Sequence, residues 1–280
     1  MPELPEVETV RRGLDPYVRG ATVAEVRILH PRVSRRQPGG ATELRTRLLG
    51  CRVEGLQRRG KYLWLNLDSG EALVLHLGMS GQIRVFEEPV ADDPHVRAWF
   101  RLEERWIAFR DMRTFGWMML APVGPGGLPA PVQHIAADPL SPEFDSAAVT
   151  RNLTATSRSI KRILLDQEVI SGIGNIYADE ALWRSRIHFE TPGDTLSEAA
   201  ALGLIGDARD VLAEALDAGG TSFDALYVGV SGQQGWFQRH LSVYGREGEA
   251  CERCGGPISR VAFTNRSSYL CPACQQRPEG

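Results

Sequence analysis

The sequence predicts an α+β fold with a β-rich N-terminal half, a helical second half and a cysteine-rich end. Short stretches of β-branched and aliphatic residues recur between residues 21 and 110, as in proteins built from many short strands. Proline and glycine then crowd residues 122–131, which we interpret as a linker. Beyond it the apolar residues follow a helical period, until four cysteines close the chain.

The individual elements follow from local patterns. A helix is expected over residues 5–13, where proline stands early and Val7, Val10 and Leu14 share one face. A short helix is expected near 43–49. Strands are expected over 21–29, 51–68 with a turn at Gly60, 71–77, 83–86, 96–102 and 106–110, a series that favours a sandwich or a barrel. Later helices are predicted over 145–154, 159–166, 176–184 and 197–218.

Composition narrows the class of protein. At 280 residues the chain can form two domains, and 42% hydrophobic with 24% charged residues is ordinary for a globular protein. No apolar run approaches the ~18 residues of a membrane span, and no basic-then-apolar leader precedes the first helix. We therefore expect a cytoplasmic enzyme or binding protein without a membrane partner. Nothing in the sequence indicates self-association, so a monomer is expected.

Charge is unevenly distributed. Residues 27–61 hold ten basic and two acidic residues, on a chain whose net charge is −3. Such a region is compatible with a phosphate-binding face, although a solvated arginine-rich surface is the alternative. Only Lys61 and Lys161 are lysines among 32 basic residues. Because arginine does not release its proton in proteins, these two lysines are candidates for sites where arginine would not serve.

The first residues carry the clearest chemistry. Removal of Met1 would leave a secondary amine on Pro2, with Glu3 beside it. An α-amino group titrates near pH ~8, so a useful fraction is unprotonated at neutral pH. Such an amine can attack a carbon of aldehyde character and form an iminium, while a carboxylate handles the protons. The alternative is that Pro2 and Pro5 only stiffen the start of a helix.

Two CxxC pairs indicate a metal site. Sixteen residues separate the pairs, a spacing typical of a tetrahedral zinc site formed by Cys251, Cys254, Cys271 and Cys274. Four sulfur ligands leave no open position, so the zinc should be structural. Two disulfides are the poorer explanation. A β-hairpin is expected over 258–270, and Arg266 near its tip either reaches a phosphate or is an ordinary exposed arginine.

A glycine-rich turn separates two predicted helices. Gly172 and Gly174 allow a tight turn, and Asn175 is a good N-cap. Backbone N–H groups at such a helix start form an anion site, which would position DNA without reading its sequence. A plain helical hairpin is the alternative.

Together these motifs resemble the bacterial formamidopyrimidine-DNA glycosylase family. They are MPELPEVET at residues 1–9, KY at 61–62, HLGMSG at 76–81, GNIY at 174–177 and the four-cysteine finger with Arg266. The resemblance implies an N-terminal helix and β-sandwich, a helical domain with a helix-two-turn-helix, and a zinc finger, with DNA in a cleft between two lobes. We accordingly predict domains at 1–131, 132–238 and 239–280.

The resemblance also implies the chemistry. The expected substrates are oxidised purines such as 8-oxoguanine and formamidopyrimidines in double-stranded DNA, followed by strand cleavage at the abasic site through β,δ-elimination. Pro2 is then the nucleophile at the sugar C1′, and Glu3 is the acid/base that helps to open the sugar. Lys61 contacts a phosphate beside the lesion and supports proton transfer. Arg266 and Asn175 hold phosphates.

A base inside a duplex must be flipped out to be reached, and the gap it leaves must be filled. Met79, Arg113 and Phe115 resemble the family's filling set, in which the arginine bonds the orphaned base and the phenylalanine wedges the stack. Without the resemblance, core packing is the alternative for Met79 and Phe115. His76 is a further DNA contact by resemblance, and Lys161 matches a family lysine near the lesion's phosphate.

Some positions depart from the family pattern. His95 is an expected DNA contact, but many relatives carry a second histidine where this chain has Asp93, which puts one contact in doubt. Thr114 replaces the second arginine of an Arg-Arg-Phe motif. Relatives carry a basic cluster just before an Ile-Lys pair, where this chain has Thr156, Ser157 and Arg158. Arg158 alone then carries the positive charge of that cluster. Neither the proposed nucleophile nor the acid is affected.

Two other functions stay open at the level of sequence. The sister enzyme, endonuclease VIII, favours oxidised pyrimidines, although Leu4 and the Arg113-x-Phe115 spacing favour the purine enzyme. A zinc-dependent damage-binding protein without chemistry is the non-enzymatic alternative. Residues 219–238 are expected to contain a flexible loop over the flipped base, with Thr221, Ser222 and Tyr227 as contacts. A cytoplasmic, nucleoid-associated location follows from the DNA substrate.

Overall fold

The computed structural model describes residues 2–90, 93–221, 230 and 237–278. The chain divides into two compact units, Met1–His134 with Ala218–Trp236, and Ile135–Asp217 with Phe237–Gly280. The predicted three-domain division stays a prediction. Ser222 and Tyr227, the expected loop contacts, lie outside the described residues. Among the residues described, no helix combines the length and the apolar character needed to span a bilayer.

The first unit is a β-sandwich flanked by helices. Helix α1 spans Leu4–Val18 and α2 spans Gly40–Leu48. The strands are β1 (Val23–Ile28), β2 (Val53–Arg59), β3 (Tyr62–Leu67), β4 (Glu71–His76), β5 (Gly81–Phe86), β6 (Val96–Leu102), β7 (Arg105–Asp111) and β8 (Trp117–Pro122). They form two antiparallel four-stranded sheets in the orders β1-β6-β7-β5 and β2-β3-β4-β8. The predicted sandwich is therefore confirmed.

The core of this unit joins both sheets and α1. Val10 and Leu14 of α1 lie in the same buried cluster as Leu65 of one sheet and Phe109 of the other. This burial explains why α1 extends beyond the predicted residues 5–13. The helix continues through Pro16 because a proline in the last turn removes only one backbone hydrogen bond.

Of two further predictions, the turn at Gly60 is confirmed, and one strand was not predicted. Residues 51–68 form two strands joined by a two-residue turn, with the expected bend at Gly60, whose φ of 54° suits glycine. Strand β8 was missed because its sequence, Trp117–Pro122, runs directly into the proline-rich stretch taken as a linker. It nevertheless pairs with β4 along its whole length and closes the second sheet.

The second unit is helical and ends in a hairpin. Its elements are α3 (Ser146–Thr154), α4 (Ile160–Leu164), α5 (Asn175–Arg184), α6 (Glu198–Asp217), β9 (Ser259–Phe263) and β10 (Arg266–Leu270). Helix α6 packs against α3 and α5. Every residue of α5 from Ile176 to Trp183 is buried, so this helix is the centre of the unit. The mixed fold with a helical domain and a four-cysteine cluster agrees with the predicted α+β class.

Candidate functional site

Pro2 and Glu3 lie at the start of α1, and both are buried. Glu3 occupies the N-cap position in extended conformation, and its backbone N–H donates to Glu6 Oε2 at 2.8 Å. Glu6 thereby fixes the direction in which the chain enters the helix. The two residues predicted to act as nucleophile and acid/base are consequently held next to each other at the positive end of the helix dipole.

Glu6 has a second partner that sequence reasoning missed. Its Oε1 accepts hydrogen bonds from Thr221 N at 2.8 Å and from Thr221 Oγ1 at 2.9 Å. Gly220 approaches the same carboxylate so closely that a Cβ there would lie 3.0 Å from Glu6 Oε1. One buried carboxylate thus joins the start of α1 to the first residues of the segment predicted to cover a flipped base. The sequence signal for a structural role of Glu6 is its position three residues after Glu3, which is the spacing of a capping box.

Lys61 lies at the tip of the β2–β3 hairpin and is 7% exposed. The turn is tied to α1, because Arg58 donates to the Gly60 carbonyl at 3.0 Å and to Glu8 Oε2 at 3.0 Å. Burial alone would raise the pKa of Glu8, but hydrogen bonds and charge from Arg11 and Arg58 outweigh it and lower the pKa to about 2. Glu8 is therefore ionised at neutral pH and holds the lysine-bearing turn against the helix.

His76 ends β4 and is neutral at pH 7. Burial lowers its pKa to about 4, helped by the positive charges of Lys61, Arg36 and Arg35. Its Nδ1 accepts from Gly78 N at 3.0 Å, which leaves Nε2–H as the donor of the neutral ring. The ring stacks on Trp117 with centroids 6.0 Å apart. A neutral donor can bind an oxygen of DNA without adding positive charge, and the predicted DNA contact of His76 stays a prediction.

We expect His76→Asn, which keeps an acceptor for Gly78 N, to flatten the pH dependence of the melting temperature between pH 6.5 and 4. The folded pKa lies below the unfolded value, so the unfolded chain binds the extra proton in this window. The stability associated with the neutral ring is complete above pH 6.5 and is lost as the pH falls through 4. Calorimetry across the window checks this, with exposed His134→Asn as control. Identical slopes for wild type and His76→Asn would contradict it.

The three predicted gap-filling residues are at the surface. Met79 is 41% exposed on the β4–β5 connection, Phe115 is 42% exposed on the β7–β8 connection, and Arg113 lies over the Phe115 ring at 5.2 Å. The alternative that Met79 and Phe115 are core residues is therefore wrong. Large apolar side chains exposed together are typical of a surface that binds a partner.

His95 is half-buried and is held by its neighbours. Asp93 accepts from the His95 backbone N–H at 2.9 Å and from Arg110 Nε at 2.6 Å. Asp93, which stands where many relatives have a histidine, therefore bonds groups of the protein itself. Its carboxylate pairs with the guanidinium of Arg110. The expected contribution of His95 to DNA binding stays a prediction.

In the second unit, Asn175 is not the N-cap that its residue type predicts. Gly174 takes that position, and Asn175 is the first residue of α5. Its Nδ2 donates to the Ser267 carbonyl at 2.9 Å. Arg266 is exposed as the first residue of β10, next to a tight turn in which Thr264 has a φ of 52°. Asn175 is therefore bonded to β10, the strand that begins with Arg266. Both residues are predicted to hold phosphates.

Lys161 has no exposed surface. Its Nζ lies 2.6 Å from Asp179 Oδ1 and donates to Ser268 Oγ at 2.7 Å and to the Ser267 carbonyl at 3.3 Å. The other carboxylate oxygen of Asp179 accepts from Tyr269 N at 3.0 Å. The lysine charge is therefore used inside the protein, and the predicted position of Lys161 near the lesion's phosphate stays a prediction. Burial raises the pKa of Asp179 to about 7, and the lysine charge opposes that rise.

Sequence reasoning also missed Asp179 and its neighbour Glu180 on α5. The Glu180 carboxylate accepts three backbone N–H bonds, from Ser242, Val243 and Tyr244, at 2.8 to 2.9 Å. The only sequence signal for their buried roles is that two acids stand side by side on a helix whose neighbouring residues are mostly apolar. Arg158, by contrast, is exposed and pairs with Asp166 at 2.9 Å, and its predicted contact with DNA stays a prediction.

The four cysteines of the two CxxC pairs form one cluster. All four Sγ atoms lie within 4.8 Å of one another, with Cys251 and Cys274 4.0 Å apart and Cys254 and Cys271 3.4 Å apart. Tetrahedral zinc with Zn–S bonds of ~2.3 Å separates its sulfurs by about 3.8 Å. The four thiolates therefore fit one structural zinc.

Helix α5 also supports this cluster. Trp183 Nε1 donates to Cys251 Sγ at 3.4 Å, an outer-sphere bond of the kind that orients metal ligands. Arg253, between the first two cysteines, stacks on the Trp183 ring at 4.1 Å and donates to the Trp183 carbonyl at 2.9 Å. The finger is therefore built onto the C-terminal end of α5.

Three family models match successive parts of the chain. Residues 1–118 match the formamidopyrimidine-DNA glycosylase N-terminal domain, and residues 135–226 match the formamidopyrimidine-DNA glycosylase H2TH domain. Residues 248–277 match a zinc finger found in FPG and IleRS, in agreement with the cysteine geometry. The three matches keep the order in which the motifs occur along the sequence.

Whole-chain comparisons point the same way. A formamidopyrimidine-DNA glycosylase of Nocardioides sp. is 54% identical over 282 residues, covering 99% of this chain and 95% of the relative. A Lactococcus lactis FPG mutant bound to DNA containing Fapy-dG is 31% identical with a TM-score of 0.88, covering 99% of this chain and 100% of the other. The wild-type L. lactis protein bound to oxidized pyrimidine-containing DNA has a TM-score of 0.87, with the same identity and coverage.

Proposed function

Because the chain belongs to the formamidopyrimidine-DNA glycosylase family, we propose that it excises 8-oxoguanine and formamidopyrimidines from duplex DNA and cleaves the strand at the abasic site. The observation that carries the proposal is the pairing of Pro2 with Glu3 at the start of α1, where Glu6 fixes the chain. Once Met1 is removed, the amine of buried Pro2 beside the buried Glu3 carboxylate is suited to attack on a sugar carbon with proton transfer.

The proposed reaction uses few protein groups. The Pro2 nitrogen forms a bond to C1′, the glycosidic bond breaks, and the base leaves with that electron pair and takes the proton that the nitrogen gives up. Glu3 then donates a proton to the ring oxygen, the C1′–O bond breaks, and the nitrogen lone pair completes an iminium. Loss of a C2′ proton expels the 3′ phosphate, and a second elimination expels the 5′ phosphate. Addition of water to the iminium releases the sugar fragment as an aldehyde and frees Pro2.

Other residues bind and position the DNA in this proposal. Lys61, on the turn that Glu8 and Arg58 hold against α1, contacts a phosphate beside the lesion and assists proton transfer. Asn175 and Arg266 hold phosphates from the second unit. Separately, the exposed Met79, Arg113 and Phe115 fill the space of the flipped nucleotide, because an extruded base leaves a gap in the stack.

Oxidised pyrimidines are a second candidate class of substrate. The L. lactis relative binds DNA that contains one, so the fold accommodates such a lesion. The purine reading is favoured by Leu4 in the opening motif and by the Arg113-x-Phe115 spacing. We further propose that the protein works in the cytoplasm at the nucleoid, where its substrate lies.

A borohydride trap tests the proposal. We expect purified protein, mixed with duplex containing 8-oxoguanine opposite cytosine and then reduced, to give a covalent complex whose cross-linked peptide begins with Pro2. The same duplex with thymine glycol should trap less. Pro2→Gly, which replaces the secondary amine with a primary one, should trap more slowly. No cross-link to either lesion or to an abasic duplex, with Met1 shown to be absent by mass spectrometry, would overturn the enzymatic proposal in favour of a damage-binding protein.

A further inference from the structure

The two connections that expose Met79, Arg113 and Phe115 share one buried carboxylate. Asp111, the last residue of β7, is 1% exposed. Its Oδ1 accepts from Ser80 Oγ at 2.5 Å, and its Oδ2 accepts from Gly116 N at 2.6 Å. Asp111 therefore bonds the residue after Met79 on one connection and the residue after Phe115 on the other.

Ser80 completes a closed network around Arg113. The Arg113 backbone N–H is shared between Ser80 Oγ at 3.0 Å and Asp111 Oδ1 at 3.2 Å. Hydrogen bonds to a carboxylate are stronger than those between neutral groups, particularly where water is excluded. The backbone of the arginine predicted to read the orphaned base is thus fixed by atoms of both connections.

Close backbone packing leaves the two connections little independent movement. Gly78 has a φ of 64°, and a Cβ there would lie 2.5 Å from both Gly116 N and the Phe115 carbonyl carbon. A Cβ on Gly116 would lie 2.5 Å from Phe109 Cζ in the core. The connections therefore touch main chain to main chain and rest on the sandwich, so that a shift of one displaces the other.

The middle of the β7–β8 connection is strained and is held from outside. Thr114 has a φ of 55°, a left-handed conformation that is unfavourable for a β-branched residue. Such strain persists only where the surroundings impose it. Arg35 supplies part of that restraint by donating to the Phe115 and Gly116 carbonyls, each at 2.7 Å. Arg35, one of the ten basic residues between 27 and 61, therefore bonds the backbone of the protein itself.

We propose that Asp111 and Ser80 are positioning residues that hold Met79, Arg113 and Phe115 as one preformed wedge. The inference rests on the proposed function, in which these side chains replace the flipped nucleotide. A wedge that is already ordered loses little conformational freedom on entering the duplex, so more of its contact energy is available to drive base flipping. Arg113 then meets the orphaned base in a fixed geometry, which makes the activity sensitive to the opposing base.

Asp111→Asn and Ser80→Ala test the positioning role, because the first removes the charge at constant size and the second removes only the hydroxyl. We expect single-turnover release of 8-oxoguanine opposite cytosine to fall by about tenfold or more, the effect of losing one charge-assisted bond. The preference for cytosine over adenine opposite the lesion should shrink in parallel. Cleavage of a pre-formed abasic site, which has no base to extrude, should fall much less. Ser80→Thr, which keeps the hydroxyl, should retain both the release of 8-oxoguanine and the preference for cytosine opposite it.

The outcomes separate this inference from the proposed function. Absence of base release and of a borohydride adduct in the wild type would overturn the proposed function. A wild-type enzyme whose Asp111→Asn and Ser80→Ala variants keep the opposing-base preference, or lose all activities equally, would overturn the positioning role alone. Arg113→Ala is the matched reference, because it removes the reading side chain and leaves Asp111, Ser80 and Gly116 in place.

Discussion

Glu3→Gln should abolish excision of 8-oxoguanine while leaving most of the cleavage of a pre-formed abasic site. Excision depends on Glu3 because its proton opens the sugar after Pro2 has displaced the base, and without ring opening the displaced base can return to C1′. An abasic site already presents an aldehyde, so the amine can condense with it without that step. Removing a positioned acid costs about 10²–10⁴-fold in rate, which sets the expected loss of excision. The amide keeps the shape of the side chain at the N-cap of α1.

Parallel single-turnover assays on the two duplexes check this prediction. The matched control is Glu54→Gln, an exposed acid on β2 that should change neither rate. Melting temperatures establish that each variant is folded. Equal losses on both duplexes would indicate that the substitution displaced Pro2, because Glu6 holds the backbone at this point. Unchanged excision would remove Glu3 from the role of acid.

The parts of the site that sequence could predict are those set by residue type and local spacing. Two CxxC pairs determine a metal cluster because each knuckle is a local structure, and the four Sγ atoms indeed converge. Gly60 marks the turn that presents Lys61 because few residues other than glycine adopt its φ. The sandwich was predictable from the series of short strands, and the missed β8 merges into a proline-rich stretch.

The parts that sequence could not predict are buried acids with distant partners. Asp111 bonds Ser80, 31 residues away, and Asp179 bonds Tyr269, 90 residues away. No local pattern distinguishes these carboxylates from solvated ones, since only the tertiary fold brings their donors close. The scarcity of lysine correctly drew attention to Lys161, but residue type alone could not show whether its charge faces DNA or a carboxylate.

The strongest destabilisation should come from breaking the pair of Lys161 and Asp179. Lys161→Met leaves the Asp179 carboxylate buried without its counterion, which typically costs about 3–5 kcal/mol of unfolding free energy. Replacing both residues, as Lys161→Met with Asp179→Leu, removes both charges and should recover most of that loss. Urea denaturation of the two single variants and the double variant gives the coupling energy between the residues.

The same variants decide whether Lys161 touches DNA. Its Nζ reaches the Ser267 carbonyl and Ser268 Oγ, beside exposed Arg266. We therefore expect Lys161 to act by holding β10, and the double variant to bind lesion DNA with the wild-type dependence on salt. Arg266→Met is the reference, because losing one phosphate contact lowers the slope of log Kobs against log salt by ~0.9. If the double variant shows that lower slope, or stays as unstable as Lys161→Met, the positioning role is wrong. If the double variant recovers most of the stability and keeps the wild-type slope, Lys161 does not itself bind phosphate, and its charge serves to compensate the buried Asp179 carboxylate beside the strand that carries Arg266.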